Sequence, residues 1–439
     1  MVKKIRFLIV ICASSLLFSQ QNLKDKLGNY IDSLYSYHKI MGSFAISENG
    51  NSTFQKAVGY ADAENNQKAN INTQYRIGSI SKTFTAVMIM QAVEENKISL
   101  NQKLSNFYPE IPNADKITIE NLLQHRSGIH NLTDEAEFLQ MYTKFHSEAD
   151  LIKIIKNYKS DFEPGLKHDY SNSNYILLGY ILQNINKKTY VDLLKMKITK
   201  PLKLNFTEVG GKIETEKNQA KSYAYNNGKY QVLPETDMSI PIGAGNLVST
   251  PSDLIKFIIE LENGKLIKKE SLTKMKTFTD DYGYGVVKFP YEKTSGFGHN
   301  GGIDGFKSAL FYFPELKVAV SLVVNQNNAD TNSVLDKMID VTQNKDFEML
   351  NFKTLEIPVA ELQKYVGAYS NKSIPVKFNI FINNKTLMAQ ATGQSAFPLD
   401  AVSNTNFKFE MADITIDFNF EQKNFVIEQA GRKNTFTKE

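Results

Sequence analysis

The chain has 439 residues, of which 42% are apolar and 22% charged, and a net charge of +4. That length allows two or three domains, and the composition is that of an ordinary globular protein. Basic and acidic residues are interspersed and form no stripe, which speaks against a nucleic-acid partner.

At the N-terminus, Lys3, Lys4 and Arg6 precede an apolar run from Phe7 to Phe18, and Ser19, Gln20 and Gln21 follow. This order reads as a secretory signal peptide over residues 1–20, cut near Ser19 or Gln20, with export to the periplasm or beyond the cell. The run is too short for a permanent span, and no later segment reaches the ~18 apolar residues that a transmembrane helix needs. Cys12, the only cysteine, follows Ile11, where lipoprotein signals carry a small residue. Lipidation is therefore not expected. The processed chain would hold neither a disulfide nor a thiol nucleophile.

Leu23, Leu27, Tyr30, Ile31, Leu34 and Tyr35 recur at helical spacing and predict a helix over 22–39. Strands are expected over Gly42–Ser47 and Thr53–Tyr60, on either side of the turn Glu48-Asn49-Gly50-Asn51. Tyr75-Arg76-Ile77-Gly78 leads into a broadly apolar helix from about Ser79 to Asn96. The middle of the chain is mostly helical, with helices over Ile119–Gln124, Asn172–Asn184 and Ser252–Glu262. After residue 280 strands return at Phe306–Phe313 and Val318–Val324, joined through Pro314-Glu315-Leu316, and a helix runs from about Asn332 to Gln343. Strands at both ends of a helical middle imply one antiparallel sheet flanked by helices, an α+β domain over 21–345. Residues 346–360, with Pro358, read as a linker. Short alternating strands at Val376–Ile382, Thr386–Gln390, Asn406–Glu410, Ile414–Phe418 and Phe425–Gln429 then predict a small all-β barrel or sandwich over 361–439.

Ser79-Ile80-Ser81-Lys82 places a hydroxyl and an amine at i and i+3, on one helix face. A serine hydroxyl needs a base to act as a nucleophile, and a desolvated lysine can lose its proton and serve as one. The same four-residue pattern occurs at Ser36–Lys39 and Ser271–Lys274. Only the Ser79 copy opens a strongly apolar helix, where a lysine needs a reason to be buried. The six histidines are scattered without zinc-ligand spacing. Gly296–Gly301 has the dinucleotide glycine pattern but no helix after it. No metal or cofactor is therefore expected.

Four segments together resemble a known family. Tyr75–Thr85 is similar to the nucleophile segment of class C β-lactamases and the related penicillin-binding-protein-like esterases and peptidases. Leu122-Leu123-Gln124-His125-Arg126-Ser127-Gly128-Ile129 resembles the family's leucine-rich helix ending in a Ser-Gly turn. Tyr170-Ser171-Asn172 matches its second motif, Tyr-x-Asn, and His299-Asn300-Gly301-Gly302 stands where the third is expected. The resemblance covers about residues 25–345. It implies an acyl-enzyme on Ser79, with Lys82 and Tyr170 sharing the proton transfers and Tyr170 partly ionised between cations. It also implies that Asn172, His299, Gly301 and Gly302 contact substrate, with an oxyanion hole from the Ser79 and Gly302 amides. The third motif departs from Lys-Thr-Gly: His299 replaces a fixed charge with a group that ionises only at mildly acidic pH. That resembles the family's esterases and D-amino-acid amidases more than its β-lactamases and carboxypeptidases. A small-molecule or peptide substrate is expected, and a catalytically dead binder of cell-wall peptide is the alternative from another class. The segment with Tyr365-Val366-Gly367-Ala368-Tyr369 is similar to the lipocalin-like β domains appended to such hydrolases.

Overall fold

The computed structural model describes residues 21–226, 228–349, 355–409, 412, 414–429 and 431–439. The expected signal peptide lies outside the described residues. The chain divides into two compact units, one reaching residue 327 with 331–347 added, the other comprising 328–330 and 348–439.

The first unit is built on a six-stranded antiparallel sheet. Helix α1 (residues 21–36) precedes β1 (Ile40–Glu48) and β2 (Asn51–Val58), and the remaining strands come from late in the chain. These are β3 (Val287–Tyr291), β4 (Thr294–Ile303), β5 (Phe306–Phe313) and β6 (Val318–Asn327), giving the order β3-β4-β5-β6-β1-β2. Strand β1 pairs with β6 in a register that sets Phe44 opposite Leu322. Eight of its nine residues are buried, with no alternation. Such a strand is covered on both faces, as a sheet between helical layers must be.

The segment between the two sets of strands is mostly helical. Helix α2 (Ser81–Glu94) is buried almost all round and forms the centre of the core. Its Phe84 ring stacks on Phe257 of α5 (Pro251–Glu262) at 3.7 Å. Short α3 (Ile119–Leu123) and long α4 (Asn172–Asn186) complete the wall around it, and α6 (Thr331–Asp340) follows β6. Strand β4 was not among the expected strands. Four glycines interrupt its pattern, and only pairing with β3 and β5 makes it extended.

The second unit is a closed eight-stranded barrel. Its strands are β7 (Gly367–Ser370), β8 (Lys377–Asn383), β9 (Thr386–Ala391), β10 (Phe397–Ala401), β11 (Asn406–Phe409), β12 (Ile414–Asn419), β13 (Asn424–Gln429) and β14 (Arg432–Lys438). Three of these, β7, β10 and β14, go beyond the five expected from alternation. Pro398 interrupts β10, and β14 carries only one buried apolar side chain, Phe436. The barrel centre is filled by Tyr369, Phe378, Phe407, Phe418, Phe425 and Phe436, packed mostly edge to face. An eight-stranded barrel has room for little else once such rings fill it. No helix among the described residues is long and apolar enough to cross a membrane.

Candidate active site

Ser79 sits in a single 3-10 turn, Gly78–Ile80, at the head of α2. Two close backbone approaches define this corner. Gly78 has φ +50, and a Cβ on it would stand 2.7 Å from the Gly302 amide nitrogen. A Cβ on Gly301 would fall on the Ile77 carbonyl oxygen. Glycine at both positions lets β4 lie backbone to backbone against the turn that carries Ser79. Ser308 of β5 adds a hydrogen bond to the same Ile77 carbonyl, at 2.8 Å.

The strand entering the turn is anchored by Arg76. Its guanidinium, 1% exposed, donates to Asp304 at 2.5 Å, Glu235 at 2.9 Å and the carbonyls of Thr236 and Gly211. Asp304, in the turn between β4 and β5, also accepts from the Thr236 amide and hydroxyl. This network fixes the β4–β5 turn to the approach to Ser79. In the sequence Arg76 stands out only as part of the Tyr75–Thr85 segment and Asp304 not at all, since nothing local distinguishes a buried arginine from a surface one.

Lys82, the second residue of α2 and one turn on from Ser79, is fully buried. Its Nζ lies 2.9 Å from Ser79 Oγ, 2.8 Å from Asn172 Oδ1 and 2.8 Å from the Ala244 carbonyl. Desolvation holds its pKa well below the usual lysine range. Asn172 Oδ1 and the Ala244 carbonyl can only accept, so a neutral amine spends its two hydrogens on them. Its lone pair then faces Ser79 Oγ. On the other side, Tyr170 Oη lies 2.8 Å from the same Oγ as a donor. Burial pushes the Tyr170 phenol above its ordinary range, with the Ser79 hydrogen bond opposing only in part. The expected partial phenolate is thus replaced by a neutral phenol: enclosure raises its pKa, and the neighbouring lysine is itself driven toward the uncharged form. The arrangement can take a proton from Ser79 through Lys82 and deliver one through Tyr170.

Asn172 caps no helix. Its Oδ1 holds Lys82 and its Nδ2 donates to Thr133 at 3.1 Å, while its amide donates to Asn131 Oδ1. It still borders a cavity of about 470 Å³ that opens at Ser79, walled by Phe138, Tyr142, Ile176, Ile240 and Ile303. A second cavity, about 420 Å³, meets Ser79 from the side of Tyr170, His299, Gly301 and Gly302.

His299 is buried, with Nδ1 2.6 Å from the Asn300 carbonyl and Nε2 3.0 Å from Tyr282 Oη. Burial is the main cause that lowers its pKa to about 3, and Lys82 pushes the same way whenever it carries a charge. The expected gain of charge at mildly acidic pH is therefore corrected: the imidazole stays neutral, and both nitrogens are held by the protein. Tyr282 in turn meets His125 Nε2 at 3.1 Å, and the His125 ring lies 4.2 Å from that of Tyr170. His125 lies in a quoted motif and Tyr282 in none. Their meeting depends on contacts across 157 residues.

The two other Ser-x-x-Lys copies lie elsewhere. Ser36 ends α1, exposed, with its hydroxyl on the Ser33 carbonyl, and Ser271 is buried in the helix Lys269–Met275. Among the described residues no cluster of His, Cys, Asp or Glu could hold a metal ion.

A serine hydroxyl set between a buried amine and a phenol, at the junction of a helix and an antiparallel sheet, is a serine-hydrolase type of arrangement. Residues 27–343 match the β-lactamase family, and the chain belongs to it. It is 30% identical over 322 residues to the teichoic acid D-alanine hydrolase of Staphylococcus aureus, covering 72% of this chain and 78% of that protein. It is similar in structure to the D-amino acid amidase of Ochrobactrum anthropi SV3 (TM-score 0.65, 25% identity, 74% of this chain and 99% of that one). An octameric penicillin-binding protein homologue from Pyrococcus abyssi shares the fold over 94% of this chain and 99% of its own, with TM-score 0.68 and 23% identity.

Proposed function

We propose that this protein is an exported hydrolase that cleaves an ester or amide of a D-amino-acid or cell-wall-related substrate through an acyl-enzyme on Ser79. The observation that carries this reading is the position of Ser79 Oγ, 2.9 Å from a desolvated lysine amine and 2.8 Å from a protonated phenol. As Oγ attacks the carbonyl carbon, its proton passes to Lys82. The oxyanion is received by the Ser79 and Gly302 amides, whose aligned dipoles are worth about 3 kcal/mol per donor in such sites. When the tetrahedral adduct collapses, the leaving atom takes the Tyr170 proton, and the Lys82 ammonium restores it. Water then repeats the sequence and releases the acid.

The named relatives, a teichoic acid D-alanine hydrolase and a D-amino acid amidase, favour a D-aminoacyl group in the apolar cavity. A β-lactamase or D-alanyl-D-alanine carboxypeptidase reading is less supported, because neutral, internally bonded His299 offers a substrate carboxylate no charge. The N-terminal sequence supports export.

The test is intact-protein mass spectrometry with a fluorophosphonate, D-alanyl esters and a penicillin, each beside Ser79→Ala. An adduct mapping to Ser79 with turnover of the D-alanyl ester is expected. A stable penicillin adduct without ester turnover would move the protein to the peptidases, and no adduct on folded protein would make it a binder.

A further inference from the structure

Behind Tyr170 lies a buried chain of hydrogen bonds whose direction can be worked out from both ends. At one end the Asn300 carbonyl can only accept, so His299 Nδ1 carries the hydrogen. A neutral His299 then has a bare Nε2, which accepts from the Tyr282 hydroxyl at 3.0 Å. At the other end the Ser171 amide donates to His125 Nδ1 at 3.1 Å, so that nitrogen is bare. Neutral His125 therefore carries its hydrogen on Nε2 and donates to Tyr282 Oη at 3.1 Å. The two deductions are independent and compatible: Tyr282 Oη accepts from His125 and has its own hydrogen free for His299, with the Tyr175 hydroxyl, which donates to the Leu123 carbonyl, as a second acceptor beside it. Asn174 Nδ2, 3.3 Å from His125 Nδ1, points the same way.

We propose that Tyr282 is a positioning residue for the reaction proposed above: its hydroxyl ties the imidazole beneath Tyr170 to the imidazole on the strand that bears Gly302. Through this one oxygen the proton donor and the oxyanion strand are held at fixed places around Ser79. Tyr282 comes from the loop before β3, His125 from the residue group after α3, and His299 from β4. These three side chains are at most 5% exposed. The chain also keeps two histidines uncharged beside Lys82. A proton on either would place a cation next to an amine that must itself accept one. The groups facing the chain are Lys82 from α2, His168 and Tyr170 from the segment before α4, and Tyr175 from α4; Arg126, Asp169 and Asp280 act on His168. Burial lowers the pKa of His125, His168 and His299 alike.

The inference rests on the hydrolase reading, and its test separates the two. Nitrogen-15 NMR of the imidazoles in the wild-type protein is expected to show opposite neutral tautomers, Nε2–H on His125 and Nδ1–H on His299, without titration between pH 5 and 8. Tyr282→Phe, nearly isosteric, is expected to lower kcat on the order of tenfold with KM within about twofold, the pattern of a lost transition-state arrangement. A double variant with His299→Gln should cost little more than Tyr282→Phe alone, as members of one unit do. Reversed tautomers, titration in that range, or a folded Tyr282→Phe protein with wild-type kcat would overturn the inference while leaving the hydrolase reading intact. A wild-type protein that turns over no ester overturns both.

Discussion

At the scale of single residues, the site depends on placing a lysine where water cannot reach it. Uncharged, Lys82 gives its two hydrogens to two obligate acceptors, Asn172 Oδ1 and the Ala244 carbonyl, which leaves its lone pair for Ser79. Its lowered pKa means that, in the reaction proposed above, the base would already be deprotonated below the ordinary lysine range. Activity should therefore rise with pH through an acid limb below that range. It should fall only above the ordinary tyrosine range, where Tyr170 would lose the proton that the proposed reaction needs it to donate. A rate profile of kcat against pH checks this; an acid limb near the free-lysine value would contradict it. Ser79→Ala should remove turnover. Tyr170→Phe should slow it by on the order of 10²–10⁴-fold, the usual worth of a positioned proton donor. Ser271→Ala and Ser36→Ala should retain activity, and steady-state kinetics on a D-alanyl ester distinguish these cases. The pairing of Ser79 with Lys82 was legible in sequence because three residues on a helix share a face. The state of Tyr170 and His299 was not, because pKa depends on enclosure by residues from other parts of the chain.

At the scale of elements, the site is a joint between β4 and the turn at Gly78. Gly301→Ala would drive a methyl group into the Ile77 carbonyl and the Ser308 hydroxyl. The strand must then retreat from Ser79, and a fall in kcat is expected alongside a loss of about 1–3 kcal/mol of stability from overpacking. Parallel kinetics and urea unfolding would read both effects. The Arg76–Asp304 pair locks the turn just beyond the glycines, at the same end of the strand, with side chains 1% and 2% exposed. Asp304→Ala leaves a buried guanidinium short of its main partner and should cost about 3–5 kcal/mol, measured as a lower urea midpoint at an unchanged slope. Equal stability of Asp304→Ala and wild type would show that Glu235 alone suffices. The helices around the site were readable from their apolar spacing, whereas β4 was not. Its glycines serve close approach and contribute nothing to a hydrophobic alternation.

At the scale of the whole molecule, the two units have separate cores. Phe425 is fully buried in the barrel, with the rings of Tyr369, Phe418, Phe436 and Phe378 at 4.9, 5.3, 5.4 and 5.8 Å. Phe425→Ala should lower barrel stability by about 3–5 kcal/mol, seen as an earlier unfolding step followed by tyrosine fluorescence. The barrel strands that alternate were visible in sequence, and those at Pro398 and at Arg432–Lys438 were recovered only by closure, since an open edge leaves backbone groups unpaired. By itself the sequence determined the local features: the helix bearing Ser79 and Lys82, the apolar faces, the second unit with its alternating strands, and the motif order that marks the family. The tertiary structure decided the electrostatics. Tyr170 meets Ser79 across 91 residues, Lys82 meets Ala244 across 162, and His125 meets Tyr282 across 157. Spacing along a helix is set by backbone geometry that any short segment carries with it. Desolvation and hydrogen-bond direction arise only when distant segments close over one another and exclude water.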